Sequence, residues 1–175
     1  MSVGKLSCAG VWVRPRRGGG RAAIAGAALT AALLMGGAGS AAAQGIPGVW
    51  YDDTGRGAVE ISKCGSSLCG RIVWLREPLK PSGQAFTDEL NPKASLRRRP
   101  ICGLKVMGRL KRQPNGTYDN GWIYDPKVGK AYDVAVSLRS RNRLEVTGYL
   151  GIKMLGKTLI WKRAPNSLPS CDANS

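Results

Sequence analysis

Residues 121–132 read GWIYDPKVGKAY, two strand-forming runs with a turn between them. The run at 122–124 is aromatic and β-branched, which suits a pleated, half-buried surface. Asp125 and Pro126 interrupt this run, because proline has no N–H to give to a sheet and aspartate bonds the turn backbone. Gly129 then offers the positive φ that a tight turn needs. The stretch therefore predicts a β-hairpin.

Period-two alternation recurs on both sides of this hairpin, whereas no stretch longer than a turn or two repeats with helical spacing. We expect eight short strands. They run over Val49–Asp52, Ala58–Lys63, Cys69–Leu75, Leu104–Lys111, Thr117–Tyr124, Lys130–Leu138, Leu144–Leu150 and Thr158–Arg163. In the fourth strand the alternation places Met107 on the face of Lys105 and Arg109, opposite Leu104, Val106, Gly108 and Leu110.

Eight short antiparallel strands must protect their edges, and closing the sheet on itself removes the edges. The predicted fold class is therefore all-β, a single antiparallel up-and-down eight-stranded β-barrel. A two-sheet sandwich is the alternative architecture. One long loop, at about residues 76–102, carries proline and charge without a clear strand or helix. A loop of this length in a small domain is expected to be functional or to cover something.

The first 43 residues have the pattern of an export signal. They contain five Lys and Arg and no acid, a short apolar run at 22–35, and three alanines at 41–43 that suit a signal peptidase. We predict a cleaved signal peptide at 1–43, a barrel domain at 44–164 and a polar tail at 165–175. The protein would then be periplasmic or secreted from a bacterium. An uncleaved anchor is the alternative, although the apolar run is short for a bilayer.

The chain is strongly basic, with 27 Lys and Arg against 11 Asp and Glu. Removing the five cations of the predicted signal leaves 22 against 11, a net charge of +11. Such a charge makes anionic partners worth considering. Because the chain is predicted to be exported, we expect an anionic lipid or polymer of the envelope rather than nucleic acid.

Four cysteines follow the predicted signal: Cys64, Cys69, Cys102 and Cys171. An even number in an exported chain indicates two disulfides. Of three connectivities we favour Cys64 with Cys69, closing the turn CGSSLC, and Cys102 with Cys171, tying the tail to the end of the long loop. The sequence has no histidine, which argues against a zinc site. We predict no metal and no cofactor.

Residues 48–163 resemble the DUF2147 family of exported bacterial proteins of unknown function. The resemblance rests on the order and spacing of GVWYD, CGSSLCGRIVWL, DELNP, RRRPICGLKVM, GWIYDPKVGKAY and VTGYLGIKMLGKTLIWKR. It implies a lipocalin-like (calycin) β-barrel and no established activity. One departure is Asn120, where the family pattern has a second glycine before Gly121.

A ligand-binding barrel is the main functional hypothesis. The binding candidates are the aromatic residues Trp122, Tyr124, Tyr132, Tyr149 and Trp161 and the polar residues Asp88, Asn91, Arg99, Asp125 and Lys130. The aromatics offer apolar area with polar tips for a small or lipid-like molecule. The competing interpretation is that they fill the core, as side chains often do in small barrels. Trp122 and Tyr124 share one strand face, so both lie inside the barrel or both outside.

The polar candidates come from the long loop and the opening hairpin. We expect these two regions to dock, with Asp88 or Asp125 pairing Arg99 or Lys130. The alternative is that each charge is solvated, since surface ion pairs contribute little.

Two other functions remain open. With no histidine there is no ordinary Ser-His or Cys-His pair, so we assign no catalytic residue. A carboxylate-dependent hydrolase using Asp88 and Asp125 is the enzymatic alternative, although an aspartate before proline is more often a turn former. The basic turns at 97–99, 109–112 and 139–143 favour a third class, an adhesion or structural module on an anionic envelope surface. The sequence does not specify an oligomeric state.

Overall fold

The strands predicted from the alternation are all present, each within two residues of its predicted bounds. The computed structural model describes residues 45–165 and 167–171, so the predicted signal lies outside the described residues. The strands are β1 Gly48–Tyr51, β2 Gly57–Cys64, β3 Ser67–Leu75, β4 Lys105–Arg112, β5 Tyr118–Asp125, β6 Lys130–Ser140, β7 Arg143–Tyr149 and β8 Lys157–Arg163, with short 3-10 turns at Ala94–Leu96 and Lys153–Leu155.

Each strand pairs antiparallel with the next, and the last strand returns to the first. Trp50 of β1 lies opposite Arg163 of β8, and Tyr51 lies opposite Lys162. This pairing closes the sheet, so the edges that an open sheet would expose are absent from it. The up-and-down barrel prediction is confirmed, and the sandwich alternative is wrong.

The up-and-down order sends successive connections to opposite ends of the barrel. We call one end the loop end; it carries residues 52–56, 76–104, 126–129 and 150–156. The other, the turn end, carries the short turns at 65–66, 113–117 and 141–142 together with residues 45–47 and 164. The long loop therefore lies at the same end as the turn of the opening hairpin.

The interior is filled by apolar side chains. Those that are essentially inaccessible to solvent come from five strands: Trp50, Ile61, Met107, Leu110, Val134, Val136, Leu144 and Val146. They belong to one continuous core cluster. At this strand number a barrel interior is just wide enough for such packing.

Arg163 covers the turn end of this core. Its guanidinium lies 4.0 Å from the ring centroid of Trp50, and it donates hydrogen bonds to the carbonyls of Gly45 and Arg141 at 2.7 Å and of Pro47 at 3.3 Å. The indole N–H of Trp50 bonds the carbonyl of Ile46 at 2.8 Å. These contacts hold the chain leading into β1 against the end of β8.

Strand β4 departs from the predicted alternation. Met107 is fully buried, as are Val106 and Leu110. The pairing with β3 shifts register twice along β4, and Arg109 has a φ of 58°. A bulge inserts an unpaired residue and changes which residues face inward, so the prediction that Met107 shares a face with Arg109 is wrong.

Strand β5 contains a second irregularity at Asn120, where we expected a second glycine before Gly121. Asn120 has a φ of 59°, and the register with β6 shifts between Tyr118 and Gly121. Asparagine tolerates the left-handed region better than most residues. The bend is therefore kept without the second glycine.

Both predicted disulfides are present. Cys64 pairs with Cys69 across the β2–β3 turn, with 5.8 Å between their Cα atoms. Cys102 pairs with Cys171, with 6.0 Å between Cα atoms, and this bond ties the C-terminal segment to the end of the long loop. Within the described ranges, no helix has the length and apolar character needed to cross a bilayer.

Candidate functional site

The long loop folds back onto the outer wall of the barrel and covers part of the opening hairpin. Trp122 and Tyr124 lie on the outer face of β5, because the intervening Ile123 pairs with the buried Met107. The loop presents Asp88 and Asn91 to this face, and both side chains are buried although they lie on the outer side of the sheet. The loop therefore forms a second, polar layer over one part of the wall.

Asp88 is the centre of that layer, with no exposed surface. Its carboxylate accepts hydrogen bonds from the Tyr124 hydroxyl at 2.6 Å and from the Asn91 amide at 2.7 Å. Arg99 donates from Nε at 2.9 Å and from its terminal nitrogen at 2.7 Å. Both Arg99 nitrogens contact the same carboxylate oxygen, Oδ2, and hydrogen bonds between charged groups are stronger than those between neutral groups. Of the pairings expected between Asp88 or Asp125 and Arg99 or Lys130, the structure contains Asp88 with Arg99.

The same residues are joined by backbone contacts. The Asp88 N–H bonds the Arg99 carbonyl at 3.0 Å, and the Asn91 N–H bonds the Asp88 carbonyl at 3.0 Å. The Arg97 side chain donates to the Asn91 carbonyl at 2.8 Å. The loop is thus fastened to itself as well as to the barrel.

Burial and hydrogen bonding act in opposite directions on Asp88. Burial raises the pKa of the Asp88 carboxyl, but the donors Tyr124, Asn91 and Arg99 outweigh it, so the pKa lies below its ordinary value. Burial raises the pKa of the Tyr124 hydroxyl, and its hydrogen bond to Asp88 raises it further. At neutral pH the pair is therefore a charged carboxylate and a neutral phenol.

Gly129 allows the loop to approach the hairpin turn. It has a φ of 66°, and a Cβ placed there would lie only 1.9 Å from the carbonyl oxygen of Leu90. No other residue type fits both conditions, because every other side chain begins with that carbon. The glycine that suggested a turn in the sequence is therefore also the contact point of the long loop.

A cleft of about 280 Å³ lies between the loop and the wall. Its lining residues are Asn91, Pro92, Lys93, Leu96, Arg99, Lys105, Trp122, Tyr124, Gly129 and Ala131. The lining combines two aromatic rings with three cationic side chains and contains no carboxylate. Within the part of the chain that the structure describes, the amino groups of Lys93 and Lys105 have no ion-pair partner. The cleft is therefore suited to an anionic molecule with an apolar or aromatic portion.

The structure brings five of the ten candidate residues together at this cleft and separates the other five. Asp88, Asn91, Arg99, Trp122 and Tyr124 form the cleft and its support. Asp125 and Lys130 face each other across the hairpin turn, and Asp125 accepts the N–H of Lys127 at 2.9 Å. Asp125 therefore acts as the turn former expected of an aspartate before proline.

Tyr132 and Trp161 belong to the inner face, since they pair with Ile123 and with the fully buried Leu144. Trp161 is 5% exposed, and its indole Nε1 is the one buried side-chain nitrogen or oxygen of the described residues without a hydrogen-bond partner.

Tyr149 lies at a separate outer cluster. Its hydroxyl donates to Asp119 at 2.9 Å, and Lys153 forms an ion pair with the other Asp119 oxygen. Burial and the contact with Asp119 raise the pKa of Tyr149 to about 12. Burial raises the pKa of Asp119, but hydrogen bonds from Lys153, the Asn120 backbone and Tyr149 bring it below its ordinary value. This cluster fastens residues 150–156 to the wall.

Two charged residues of the cleft were not among the sequence candidates. Lys93 follows the DELNP segment directly, and Lys105 begins β4. Neither carries a local signal, because a lysine after a turn is usually solvated. Only the placement of the loop over β4 brings them together.

The two carboxylates of the hydrolase alternative, Asp88 and Asp125, are both occupied by other partners. Asp88 is fully engaged by donors and Asp125 by the turn. Nowhere in residues 45–165 and 167–171 do three or more His, Cys, Asp or Glu side chains gather as metal ligands would.

Among solved structures, the chain is similar to protein HP1028 of Helicobacter pylori, which is described as belonging to the lipocalin family. The two share 26% identity with a TM-score of 0.60, over 69% of this chain and 83% of that chain. No functionally curated protein matches the sequence. The sequence profile described as "Uncharacterized protein conserved in bacteria (DUF2147)" matches residues 48–163. The chain therefore belongs to the DUF2147 family and has a lipocalin-like barrel.

Proposed function

We propose that this protein is an exported bacterial binding protein that takes a small anionic ligand with an apolar portion into the cleft between the long loop and the outer wall. The observation that carries the proposal is the lining of the cleft, where Trp122 and Tyr124 lie beside Lys93, Lys105 and Arg99 with no acid among them. The similarity to a protein of the lipocalin family supports a binding role in general.

The residues that line the cleft contribute to ligand binding in different ways. The aromatic rings supply apolar area, and the two lysines without ion-pair partners supply charge for a carboxylate, phosphate or sulfonate group. Arg99 is held by Asp88, so it contributes mainly to the shape of the cleft. The filled interior makes the outer cleft the better candidate than the barrel lumen.

The proposal is tested by titrating the protein with anilinonaphthalene sulfonate, an anionic aromatic probe, and with the neutral N-phenylnaphthylamine. We expect saturable binding of the anionic probe with a change in Trp122 emission. Lys93→Ala combined with Lys105→Ala should weaken binding about tenfold, or about 1.4 kcal/mol. The matched control, Lys63→Ala with Lys111→Ala on β2 and β4, should change the affinity less than about twofold. Unsaturable binding, or equal affinity for both probes in all variants, would refute the proposal.

The inner face offers a second candidate site because the Trp161 N–H lacks an acceptor. An unmade buried hydrogen bond costs about 1–3 kcal/mol, and a ligand oxygen inside the barrel would satisfy it. Trp122→Phe and Trp161→Phe distinguish the two sites. The emission change on probe binding should disappear with Trp122→Phe for the outer cleft and with Trp161→Phe for the lumen.

We further propose that residues 1–43 are removed during export to the periplasm or the medium. The two disulfides support an oxidising compartment. Native mass spectrometry of protein recovered from a bacterial periplasm should give a chain beginning at Gln44, and a co-purifying small mass would identify the ligand. A chain retaining residues 1–43 would contradict cleavage without bearing on the cleft.

A further inference from the structure

The large apolar side chains that remain exposed are confined to one end of the barrel. Eight are exposed among the described residues, and all lie in loop-end segments: Leu79, Phe86, Leu90, Val128, Leu150, Ile152, Met154 and Leu155. Scattered single apolar side chains are ordinary on a protein surface. A group restricted to one end instead marks contact with an apolar partner.

Half of this group lies in one short segment. Leu150, Ile152, Met154 and Leu155 are 70%, 60%, 93% and 82% exposed. We call residues 150–156 the apolar loop. It connects β7 to β8 and lies apart from the cleft lining, so its function does not depend on the proposed ligand site.

The apolar loop is held in this exposed arrangement by its polar groups. The Lys153 ammonium pairs with Asp119 on β5, and the Gly151 N–H contacts the Asp133 carboxylate at 3.4 Å. Gly156 packs closely, since a Cβ there would lie 2.8 Å from the Gly148 carbonyl oxygen. The polar groups point back to the wall while the apolar side chains point to solvent.

The net charge of the four loop-end segments, taken together, favours an anionic surface over a neutral one. The four loop-end segments carry nine Lys and Arg: Arg56, Arg76, Lys80, Lys93, Arg97, Arg98, Arg99, Lys127 and Lys153. They carry five Asp and Glu: Asp52, Asp53, Glu77, Asp88 and Glu89. Exposed apolar side chains next to excess positive charge are the combination with which proteins bind the interface of an anionic bilayer.

We propose that the loop end docks on an anionic lipid bilayer, with the side chains of the apolar loop inserted among the lipid headgroups and the surrounding cations on lipid phosphates. The exposed Leu90 and Val128 lie in neighbouring loop-end segments and would approach the same surface.

A tryptophan placed in the loop reports insertion directly. Met154→Trp and Ser66→Trp, the latter exposed at the turn end, are compared in vesicles of phosphatidylglycerol and phosphatidylcholine carrying brominated acyl chains. We expect blue-shifted emission and quenching several times stronger for Met154→Trp than for Ser66→Trp, after subtraction of the native tryptophans. Equal quenching of the two variants would overturn the proposal.

A second measurement separates insertion from charge alone. Replacing Leu150, Ile152, Met154 and Leu155 with Ser should lower vesicle binding about tenfold or more in flotation assays at high salt, where electrostatic attraction is screened. Arg139→Gln with Arg141→Gln at the turn end is the matched control and should leave this binding unchanged. If the Ser variant kept its binding at high salt, another surface would be responsible for it; if high salt abolished binding of the native protein, charge attraction alone would be responsible. Either result would contradict insertion of the apolar loop.

The same Ser variant tests whether a second copy of the chain covers the apolar loop. Sedimentation velocity without lipid should give the same mass for the native protein and the Ser variant. A native dimer that the Ser substitutions dissociate would make the occupant a second copy and overturn the membrane proposal.

Discussion

Asp88 holds a negative charge where no water reaches it, and its hydrogen-bond donors come from both the barrel wall and the long loop. Tyr124 belongs to the wall, whereas Asn91 and Arg99 belong to the loop. Taking a charge out of water is costly unless it is paired and hydrogen-bonded. The carboxylate therefore makes loop docking depend on all three donors being in place.

Replacing Asp88 with Asn keeps the shape and removes the charge. Breaking a buried pair costs about 3–5 kcal/mol, and because 35% of the Arg99 side chain stays exposed, we expect the lower figure in the free energy of unfolding from urea denaturation. Asp53→Asn changes an exposed carboxylate in the β1–β2 turn. It should cost less than about 0.5 kcal/mol, and similar losses in the two variants would show that the Asp88 network contributes nothing.

The Asp88 network also predicts loss of stability in acid. The folded-state pKa of Asp88 lies below the ordinary 3.8, so the unfolded chain takes up the proton first as pH falls. The stabilisation is complete above the unfolded-state pKa and disappears as pH drops through the folded-state pKa, below about pH 4. Urea midpoints followed into acid should fall more steeply for the native protein than for Asp88→Asn. Parallel curves would contradict the assignment, because Asp52 and Asp119 titrate in both proteins.

The close contact at Gly129 is tested by comparison with Gly116, a glycine that also has a positive φ but has open space around it. Gly116 has a φ of 82° with no atom near its missing Cβ, whereas the Cβ at Gly129 would meet the Leu90 carbonyl. Gly116→Ala should cost about 1–2 kcal/mol from backbone strain alone. Gly129→Ala should cost more and should expose the long loop to proteolysis. Equal unfolding free energies and equal cleavage rates would show that Leu90 does not press on this turn.

Among the elements, the long loop and the opening hairpin act as one unit. The hairpin provides the Tyr124 hydroxyl and the space above Gly129, where the loop makes contact. The loop provides the buried carboxylate of Asp88. Both aromatic side chains of β5 that suggested a ligand lie beneath this loop, outside the lumen. A loop that covers a wall in this way creates a cleft without enlarging the barrel interior.

The Cys102–Cys171 bond holds the C-terminal end of the long loop. The two disulfides differ greatly in the number of residues that separate their cysteines. They join residues 69 and 5 positions apart. In the chain-entropy account, the longer closure contributes about 4 kcal/mol and the shorter about 2 kcal/mol. Replacing Cys102 and Cys171 with Ala should therefore lower the unfolding free energy by about 2 kcal/mol more than replacing Cys64 and Cys69. Equal losses under non-reducing conditions would contradict this order.

For the whole molecule, closure of the barrel depends on the contact between its first and last strands. This is a short junction, in which β1 meets β8 through two residue pairs. Arg163 reinforces it through the Trp50 ring and three backbone carbonyls.

Arg163→Ala should destabilise the barrel by about 2 kcal/mol, because three backbone carbonyls lose a charged hydrogen-bond donor. Arg163→Lys should recover less than half of that loss, since a lysine cannot present the same planar fork. Urea denaturation gives both values. Arg143→Ala, at the start of β7, is the control and should have a small effect; full recovery by Lys would show that charge alone matters at the junction.

Much of this architecture follows from local patterns in the sequence. Apolar residues alternate with a period of two within the strands, and turn residues separate one strand from the next. The number and order of the strands could therefore be predicted without knowing any long-range contact. The even number of cysteines is likewise visible in the sequence. The motifs from GVWYD to the final strand resemble those of the DUF2147 family, and this resemblance also implies a lipocalin-like barrel. Pairing of Asp88 or Asp125 with Arg99 or Lys130 could also be predicted, whereas the folded chain selects Asp88 with Arg99.

The side of the wall on which each aromatic lies, and the bulges of β4 and β5, required the folded chain. A single left-handed residue such as Arg109 reverses the faces that follow it, and nothing in the local pattern marks an arginine for that conformation. Burial of Asp88 depends on Tyr124, 36 residues away, and the cleft lysines come from two separate segments. Alternation along GWIYDPKVGKAY shows that Trp122 and Tyr124 share a face, but only the packing of the long loop makes that face a covered, outward-facing site.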